Sequence, residues 1–262
     1  MNIIVCIKQV PDTKHVRLDE KTHTLIREGV ESIINPFDMY ALEEGLRLKD
    51  QFGGKVTVLS MGPPQAEASL REAITYGADE AILLSDRAFA GADTWATSYT
   101  LAKGIQKVGA FDLIICGKQA VDGDTAQVGP GLAERLAIPY VTWVRKIEGI
   151  QDGLLRVQRL MDDGYDRLEL PLPALLTVVK EINEPRPPSL KGKMRAKTQK
   201  VLRYGLQDLG ADSEQVGLQG SATQVVRVFP PPKLKERQWI EGSVPDQVSQ
   251  ILDKLTRLKV IA

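Results

Sequence analysis

Short apolar runs alternate with amphipathic stretches through the first half of the chain. The runs lie at Ile3–Val10, Lys55–Ser60, Glu80–Leu84, Asp112–Cys116 and Pro139–Val144, and they are nearly continuous in Ile, Val and Leu. Strands buried on both faces have this pattern, which is typical of a parallel sheet. Their alternation with helices predicts right-handed crossovers and helices on both faces of that sheet.

Four helices are predicted between these strands, over residues 35–52, 64–77, 93–108 and a stretch that contains Leu132–Leu136. In the first helix, Asn35 is a candidate N-cap and Asp38 lies near the positive end of the helix dipole. Glu43 and Glu44 are expected on its solvated face, with Glu43 paired to Arg47 one turn later. Asp93 is a candidate cap of the third helix.

The second half has a different composition. Residues 153–179 read as two strands joined at Asp162-Asp163-Gly164, which predicts a hairpin that extends the sheet with antiparallel strands. A Pro-rich tract with seven basic residues and no acid follows from Pro185 to Arg203 and is predicted to be extended and exposed. A terminal amphipathic helix is predicted at 246–258. We expect a nucleotide-binding domain over 1–184, a partner-recognition region over 185–203 and an arm over 204–262 that lies on a partner subunit.

Composition excludes several classes of function. The 262 residues carry 34 basic and 34 acidic side chains, so nucleic-acid binding, which needs a concentrated positive field, is not expected. Cys6 and Cys116 lie in apolar runs and are read as buried thiols. His15 and His23 are the only histidines in the sequence. With so few Cys and His residues, no metal site and no catalytic residue is predicted. The start lacks a signal peptide and no run is long enough to span a membrane, so a cytoplasmic location is expected.

The loop GKQAVDGDTAQVGPG at 117–131 is the main candidate site, because ligands of open parallel sheets bind beyond the carboxyl ends of the strands. If Gly129 caps a helix that begins at Pro130, several backbone N–H groups form a phosphate cradle. The alternative is a plain strand-to-helix connection. Asp122 and Asp124 would repel phosphates, so we expect them to cap backbone groups or to meet ribose hydroxyls. The Gly-rich nucleotide motifs G-x-G-x-x-G and G-x-x-x-x-G-K-[ST] are both incomplete.

Asp93, Thr94 and Thr97 form a second cluster, which shares one end of a predicted helix. The alternative is a capped helix start with a surface threonine. The Met161-Asp162-Asp163 sequence is read as hairpin turn chemistry alone.

These motifs together resemble the beta subunit of electron-transfer flavoprotein. The resemblance runs over nearly the whole chain, through VCIKQVPD at 5–12, NPFDMYALEEGLRLK at 35–49, SMGPPQ at 60–65, GKQAVDGDTAQVGP at 117–130 and LPALLTVVKEINEPRPPSLKGKMRAK at 172–197. It implies a Rossmann-like α/β fold of the adenine-nucleotide-binding type, with a mostly parallel sheet, an antiparallel hairpin extension and a C-terminal arm that embraces an alpha subunit.

The resemblance also implies a set of nucleotide-binding positions, some of them already found from the crevice argument, and it adds the NPFD segment. In the electron-bifurcating branch of the family, Thr94 and Thr97 would be placed to hydrogen-bond the polar edge of a flavin ring. The implied cofactor-binding residues are Cys6, Asn35, Pro36, Phe37, Asp38, Met61, Asp93, Thr94, Thr97, Asp122, Gly123, Asp124, Thr125, Ala126, Gln127, Val128, Gly129 and Pro130, and the implied segment continues to Ala133.

The family's recognition loop matches Pro185–Lys197. Its anchoring leucine corresponds to Leu190, and Lys191, Lys193 and Met194 are the other residues we assign to partner binding. An exposed apolar tip with basic surroundings suits a transient docking contact with a flavin dehydrogenase.

Two branches of the family differ in the nucleotide of this subunit, which is a structural AMP in one and a second FAD in the electron-bifurcating other. The DGDTAQVGP loop and the segment GADTWATSYTLAKGI at 91–105 resemble the bifurcating branch. That branch implies that NADH reduces the FAD of this subunit. One electron then passes to the alpha-subunit FAD, toward an acyl-CoA-type or lactate-type dehydrogenase, and the other to ferredoxin or flavodoxin. The remaining alternatives are a nucleotide-binding regulatory module and an ATP-dependent amide- or thiol-forming enzyme of related fold.

Overall fold

The computed structural model describes residues 1–12, 32–226 and 239–261, together with the paired backbone of two short strands between residues 17 and 26. Two compact units are present, 1–224 and 225–262. The boundaries predicted at residues 184 and 203 divide the chain by function rather than by compactness, and they stay a prediction. Both histidines lie outside the described residues, as do the PPP at 230–232 and residues 227–229 of TQVVRVF (223–229), which the sequence predicts as a strand; residues 223–226 of that segment are not in a strand.

The described residues of the first unit form thirteen strands and five α-helices. The strands are β1 (Asn2–Cys6), β2 (Gln9–Pro11), β3 (Arg17–Leu18), β4 (Leu25–Ile26), β5 (Ser32–Ile34), β6 (Lys55–Met61), β7 (Glu80–Leu84), β8 (Leu113–Gly117), β9 (Tyr140–Gln151), β10 (Leu154–Leu160), β11 (Tyr165–Pro171), β12 (Ala174–Val178) and β13 (Leu202–Tyr204). The helices are α1 (Pro36–Phe52), α2 (Glu67–Tyr76), α3 (Thr94–Val108), α4 (Val128–Leu136) and α5 (Leu190–Thr198).

Nine strands form one sheet in the order β11-β10-β9-β12-β8-β1-β6-β7-β13. The seven strands from β9 to β13 in this order pair in parallel, whereas β10 and β11 pair antiparallel at one edge. The predicted α/β class, with a mostly parallel sheet and an antiparallel extension, is therefore confirmed.

Alternate side chains of the central strand point into two apolar cores. Ile3 and Val5 pack with residues of α1 and α2 on one face, and Ile4 and Cys6 pack with residues of α3 and α4 on the other. The sheet is thus covered on both faces, which explains why its strands read as continuous apolar runs rather than as an alternating pattern.

The strand order reverses beside β1. The chain goes from β1 to β6 and β7 on one side, and then crosses to β8 on the other. The crevice beyond the carboxyl ends of β1 and β8 is therefore the topological switch point, the usual ligand position in an open α/β sheet.

The hairpin prediction for residues 153–179 was only partly right. β10 and β11 do form an antiparallel hairpin, closed by a hydrogen bond from the backbone N–H of Met161 to the carbonyl of Gly164. However, Ala174–Val178 is a separate, buried strand that lies in parallel between β8 and β9. All five residues of this strand are buried, because both faces of the central sheet are covered.

Two other predictions were wrong. The basic tract is not extended throughout, since α5 forms within it and β13 joins the main sheet beside β7. Glu43 and Glu44 are not solvated but only 5% and 7% exposed. The predicted ion pair of Glu43 with Arg47 is present, at 3.6 Å, although Glu43 has a stronger partner in Arg186, at 2.8 Å.

The second unit contains α6 (Val244–Arg257), which confirms the predicted terminal helix. A capping box between Ser243 and Asp246 starts it. Its apolar side chains Val248, Ile251 and Leu252 are each more than 40% exposed. Among the described residues, no helix combines the length and the apolar character that crossing a membrane requires.

Candidate functional site

The two cysteines lie side by side where β1 and β8 end at the crevice, as partners in the parallel register. Both thiols are free and buried, which confirms that reading. Hydrogen bonding to Cys6 and burial raise the pKa of the Cys116 thiol well above its ordinary value. A thiol kept protonated in this way is a poor nucleophile.

Asp38 joins the ends of the same two strands. Its carboxylate accepts a hydrogen bond of 2.7 Å from the backbone N–H of Lys8, just after β1, and another from the backbone N–H of Gly117, the last residue of β8. Burial raises the pKa of Asp38 to about 7 against the opposing effect of these hydrogen bonds. Gly117 leaves no room for a side chain, because a Cβ there would lie 2.6 Å from the carbonyl carbon of Phe37.

Asn35 does not cap α1 with its side chain, contrary to the prediction. Instead its amide group donates to the carbonyl of Gln119 at 2.9 Å and accepts from the backbone N–H of Val121 at 3.0 Å. Asn35 is fully buried. The start of α1 therefore fixes the path of the candidate loop by satisfying the loop backbone directly.

The two acids of the loop contact side chains rather than capping backbone groups. Asp122 accepts two hydrogen bonds from the Lys8 ammonium, at 2.7 and 2.8 Å, and Asp124 accepts one from the Gln119 amide. Because the charge of Asp122 is paired and Asp124 is held by an amide, the repulsion expected toward a phosphate is reduced at this edge. The Lys8–Asp122 pairing could not be read from the sequence, where the two residues are 114 positions apart.

The backbone of the loop fits an anion. Asp124 and Ala126 adopt left-handed conformations, with φ of 54° each, and Gln127 returns to the right-handed region before α4 begins. Such alternation turns successive N–H groups toward one concavity, and a helix N-terminus adds its positive dipole. The helix starts at Val128, two residues before the predicted start at Pro130. Gly129 is not its cap but packs against the Thr177 side chain of β12.

The other loop residues in the predicted site are accessible. Gly123 and Thr125 are exposed and Pro130 is partly exposed, as are Phe37 of α1 and Met61 at the end of β6, whereas Pro36 is exposed. The Lys118 ammonium lies between two rings, 5.3 Å from the centre of Phe37 and 4.3 Å from that of Trp143. Cation–π contacts of this kind attract the Lys118 ammonium to both rings, next to Gly117.

The second predicted cluster is in contact with this loop. Thr94 donates a hydrogen bond of 3.0 Å to the side-chain oxygen of Gln127, and Thr97 is partly exposed one turn further along α3. Asp93 caps α3 as predicted, through the backbone N–H groups of Trp95 and Ala96. Its other oxygen accepts from the N–H and the hydroxyl of Thr223, at 2.9 and 3.0 Å.

The predicted partner-binding residues lie on one helix. Leu190 and Met194 are 77% and 66% exposed and share one face of α5 at a spacing of four residues, with Lys191 and Lys193 exposed beside them. Gly192 and Ala196, at the same spacing, are buried. The predicted docking residues thus lie on a helical face rather than on an extended loop.

Fold and site together define an α/β protein with a mostly parallel sheet, whose crevice at the switch point carries a loop with left-handed residues before a helix N-terminus. A family model described as the electron transfer flavoprotein domain matches residues 22–209. The chain is 52% identical to the electron transfer flavoprotein subunit beta of Thermoanaerobacterium thermosaccharolyticum, over 100% of both chains. It is 51% identical, again over 100% of both, to the caffeyl-CoA reductase-Etf complex subunit CarD of Acetobacterium woodii. It is 45% identical to the protein FixA of Bradyrhizobium diazoefficiens, over 97% of this chain and 91% of the relative.

The chain therefore belongs to the electron transfer flavoprotein family, as a beta subunit, and its role is in electron transfer.

Proposed function

We propose that this beta subunit binds FAD in the crevice between β1 and β8 and, with an alpha subunit, performs flavin-based electron bifurcation. NADH is the electron donor. The acceptors are ferredoxin or flavodoxin at low potential and an acyl-CoA-type or lactate-type dehydrogenase. When bound, FAD supplies the ability to take up two electrons together and to release them singly. The observation that carries this proposal is the anion-binding loop at the switch point of a chain that belongs to this family.

The chain's own residues supply binding and orientation. The backbone N–H groups around residues 125–129 would hold the negatively charged pyrophosphate, while the Lys8 ammonium holds the Asp122 carboxylate in an ion pair. Asn35 and Asp38 act on the cofactor through the loop and the strand ends that they brace. No side chain is required as a general acid or base.

Two observations favour FAD over AMP in this crevice. The segment 91–105, which resembles the bifurcating branch, contacts the loop at 117–131 through the Thr94–Gln127 hydrogen bond, so a flavin ring bound beside this loop would be within reach of hydroxyl groups of the segment. One full-length relative is named as part of a caffeyl-CoA reductase-Etf complex, and a reductase of a CoA thioester is an acceptor of the proposed kind.

The alternative is a non-bifurcating beta subunit with structural AMP. Release and quantification of the nucleotides from the purified heterodimer decide between them. Two FAD per heterodimer are expected, and one FAD with one AMP would reject bifurcation. A colourless preparation with no alpha subunit would instead favour a regulatory module without redox activity.

We further propose that the exposed apolar face of α6 and the rest of the arm bind the alpha subunit, and that Leu190 and Met194 dock a flavin dehydrogenase. Exposed Val248, Ile251 and Leu252 support the first contact, because a face of this size is otherwise unfavourable in water. The cytoplasmic location stays a prediction of the sequence.

A further inference from the structure

Helix α5 is held on the protein by backbone contacts along its inner face. The backbone N–H of Ser189, the N-cap residue, donates to the carbonyl of Thr75 at the end of α2 at 3.1 Å. Gly192 lies so close to this carbonyl that a Cβ would be 2.7 Å from the Thr75 carbon. Arg71 of α2 donates to the carbonyl of Ala196 at 2.8 Å. These contacts hold α5 against α2, but they are made by small or flexible groups.

A buried ion pair fixes the segment that leads into α5. Arg186 donates to Glu43 of α1 from Nε at 2.8 Å, from Nη2 at 3.2 Å and from its backbone N–H at 3.1 Å. Its guanidinium also contacts Asp50 at 2.9 Å. The Glu43 side chain is only 6% exposed, so removal of Arg186 leaves a poorly solvated carboxylate whose remaining cation is Arg47, at 3.6 Å.

The next acid along α1 holds the same segment. The Asn183 amide donates to Glu44 at 2.9 Å and to the carbonyl of Tyr40 at 3.0 Å. Burial raises the pKa of the Glu44 carboxyl, against the lowering effect of the Asn183 hydrogen bond. Adjacent acids of one helix turn therefore hold residues 183 and 186, and neither contact involves the exposed face of α5.

Only Pro187 and Pro188 separate Arg186 from the cap residue Ser189. Proline fixes its own φ near −65° and restricts the residue before it, so this connection is stiff. Fixing Arg186 therefore fixes the direction in which α5 starts, and with it the positions of Leu190 and Met194.

We propose that Glu43 and Arg186 are positioning residues for the docking helix, and that their ion pair orients Leu190 and Met194 for the partner dehydrogenase. The inference rests on the docking role proposed above. It assigns a function to a buried carboxylate that lies outside the cofactor crevice. A docking face that is already ordered loses little conformational entropy on binding, which favours fast and reversible association.

The test uses the complete heterodimer with Glu43→Gln, Arg186→Gln and the double variant. Glu169→Gln, which breaks the exposed Arg156–Glu169 pair of 2.6 Å, is the matched control. Hydrogen–deuterium exchange of the amides of residues 190–198 is measured without a partner. We expect exchange about tenfold faster in either single variant, because local opening becomes easier. The double variant should exchange more slowly than Arg186→Gln alone, since the buried Glu43 carboxylate is then no longer left with Arg47 as its remaining cation.

Electron delivery to a purified acyl-CoA dehydrogenase is measured on the same variants. The KM for the dehydrogenase should rise about fivefold in the single variants with kcat within about twofold, the pattern of weakened binding alone. FAD content and the Glu169→Gln control should match the wild type. Unchanged exchange at 190–198 in both single variants would overturn the positioning role.

Leu190→Ala separates this inference from the function on which it rests. If Leu190→Ala raises the KM but Glu43→Gln does not, docking by α5 stands and the positioning role is overturned. If Leu190→Ala leaves the KM unchanged, docking by α5 is itself rejected and the positioning role for docking falls with it.

Discussion

The Asp38 carboxylate accepts a hydrogen bond from the backbone N–H of Lys8 at 2.7 Å and so ties the start of α1 to the end of β1. The group is buried, and burial raises its pKa from 3.8 to about 7. A carboxyl at this position is thus protonated more readily in the folded chain than in the unfolded chain, which has a consequence for stability.

Because the folded-state pKa of Asp38 is raised, the folded chain binds more protons than the unfolded chain between about pH 4 and 7. The stabilising contribution is therefore complete below pH 4, falls as pH rises and is lost above pH 7. Asp38→Asn removes this titration. The difference in free energy of unfolding, wild type minus variant, should fall by an amount on the order of a few kcal/mol between pH 4 and 7.

Urea denaturation of the chain at a series of pH values measures this difference. Asp162→Asn, in the exposed hairpin turn, provides the control for the loss of one carboxyl group. A flat profile for Asp38→Asn would show that Asp38 has an ordinary pKa.

Lys8→Gln should weaken cofactor retention more than it weakens the fold. The substitution frees the Asp122 carboxylate, now 2.7 Å from the ammonium, to repel the phosphates of a bound nucleotide. We expect the FAD dissociation constant to rise about three- to tenfold, and more at low salt, where charges are less screened. The free energy of unfolding should change by less than about 1 kcal/mol, as for other exposed ion pairs.

Flavin fluorescence titration provides the measurement. Lys55→Gln is the matched control because Lys55 forms a comparable exposed pair with Glu80 at 2.9 Å, away from the crevice. If Lys8→Gln and Lys55→Gln retain FAD equally well, the role given to Lys8 is wrong.

Gly117→Ala should disrupt the crevice. The added Cβ would overlap the Asp38 carboxylate and lie 2.6 Å from the carbonyl carbon of Phe37. Overpacking of this kind costs about 1–3 kcal/mol, and it would part the ends of β1 and β8. The thermal unfolding temperature and the FAD content of the variant should both be lower than those of the wild type.

Gly123→Ala tests the same loop without the overlap, since nothing lies within 4 Å of a Cβ at that position. Its stability should stay within about 0.5 kcal/mol of the wild type. Equal effects of the two alanine variants would mean that loop flexibility, rather than the close approach at Gly117, is what matters.

Asp93→Ala should destabilise α3 by about 1 kcal/mol through loss of the N-cap. Asp93→Ser keeps a capping oxygen but lacks the second oxygen that Thr223 contacts at 2.9 Å. Serine should therefore recover the cap while leaving residues 221–223 loosened. Chemical denaturation measures the first effect and hydrogen exchange the second; full protection of residue 223 in the serine variant would contradict this division of roles.

The sequence predicted the features that local pattern determines. Asp93 caps its helix as expected because its capping partners, Trp95 and Ala96, are two and three residues away. Asn35 fills a similar position but serves Gln119 and Val121, more than 80 residues further along the chain. No pattern in its own helix reveals that partner.

The burial of Glu43 could not be predicted from the sequence for the same reason. A charged residue on a helix is read as solvated until its partner is known, and here the partner, Arg186, is 143 residues away. Helix α5 was missed for a related reason. This nine-residue helix contains Gly192 and too few apolar residues for a clear amphipathic pattern. Its contacts with Thr75 and Arg71 of α2 supply stability that the local sequence does not reveal.

Helix α1 contacts the candidate loop through its first turn and the segment that leads into α5 through its second. Glu43 follows Asp38 by five positions, which fixes a rise of about 7.5 Å and a rotation of about 140° between the two residues along the helix. The structure can accommodate a substitution that keeps the negative charge at position 38 or at position 43. A single inserted or deleted residue between them would swing one carboxylate by about 100° about the axis, so this interval is the part of the chain least able to change its length.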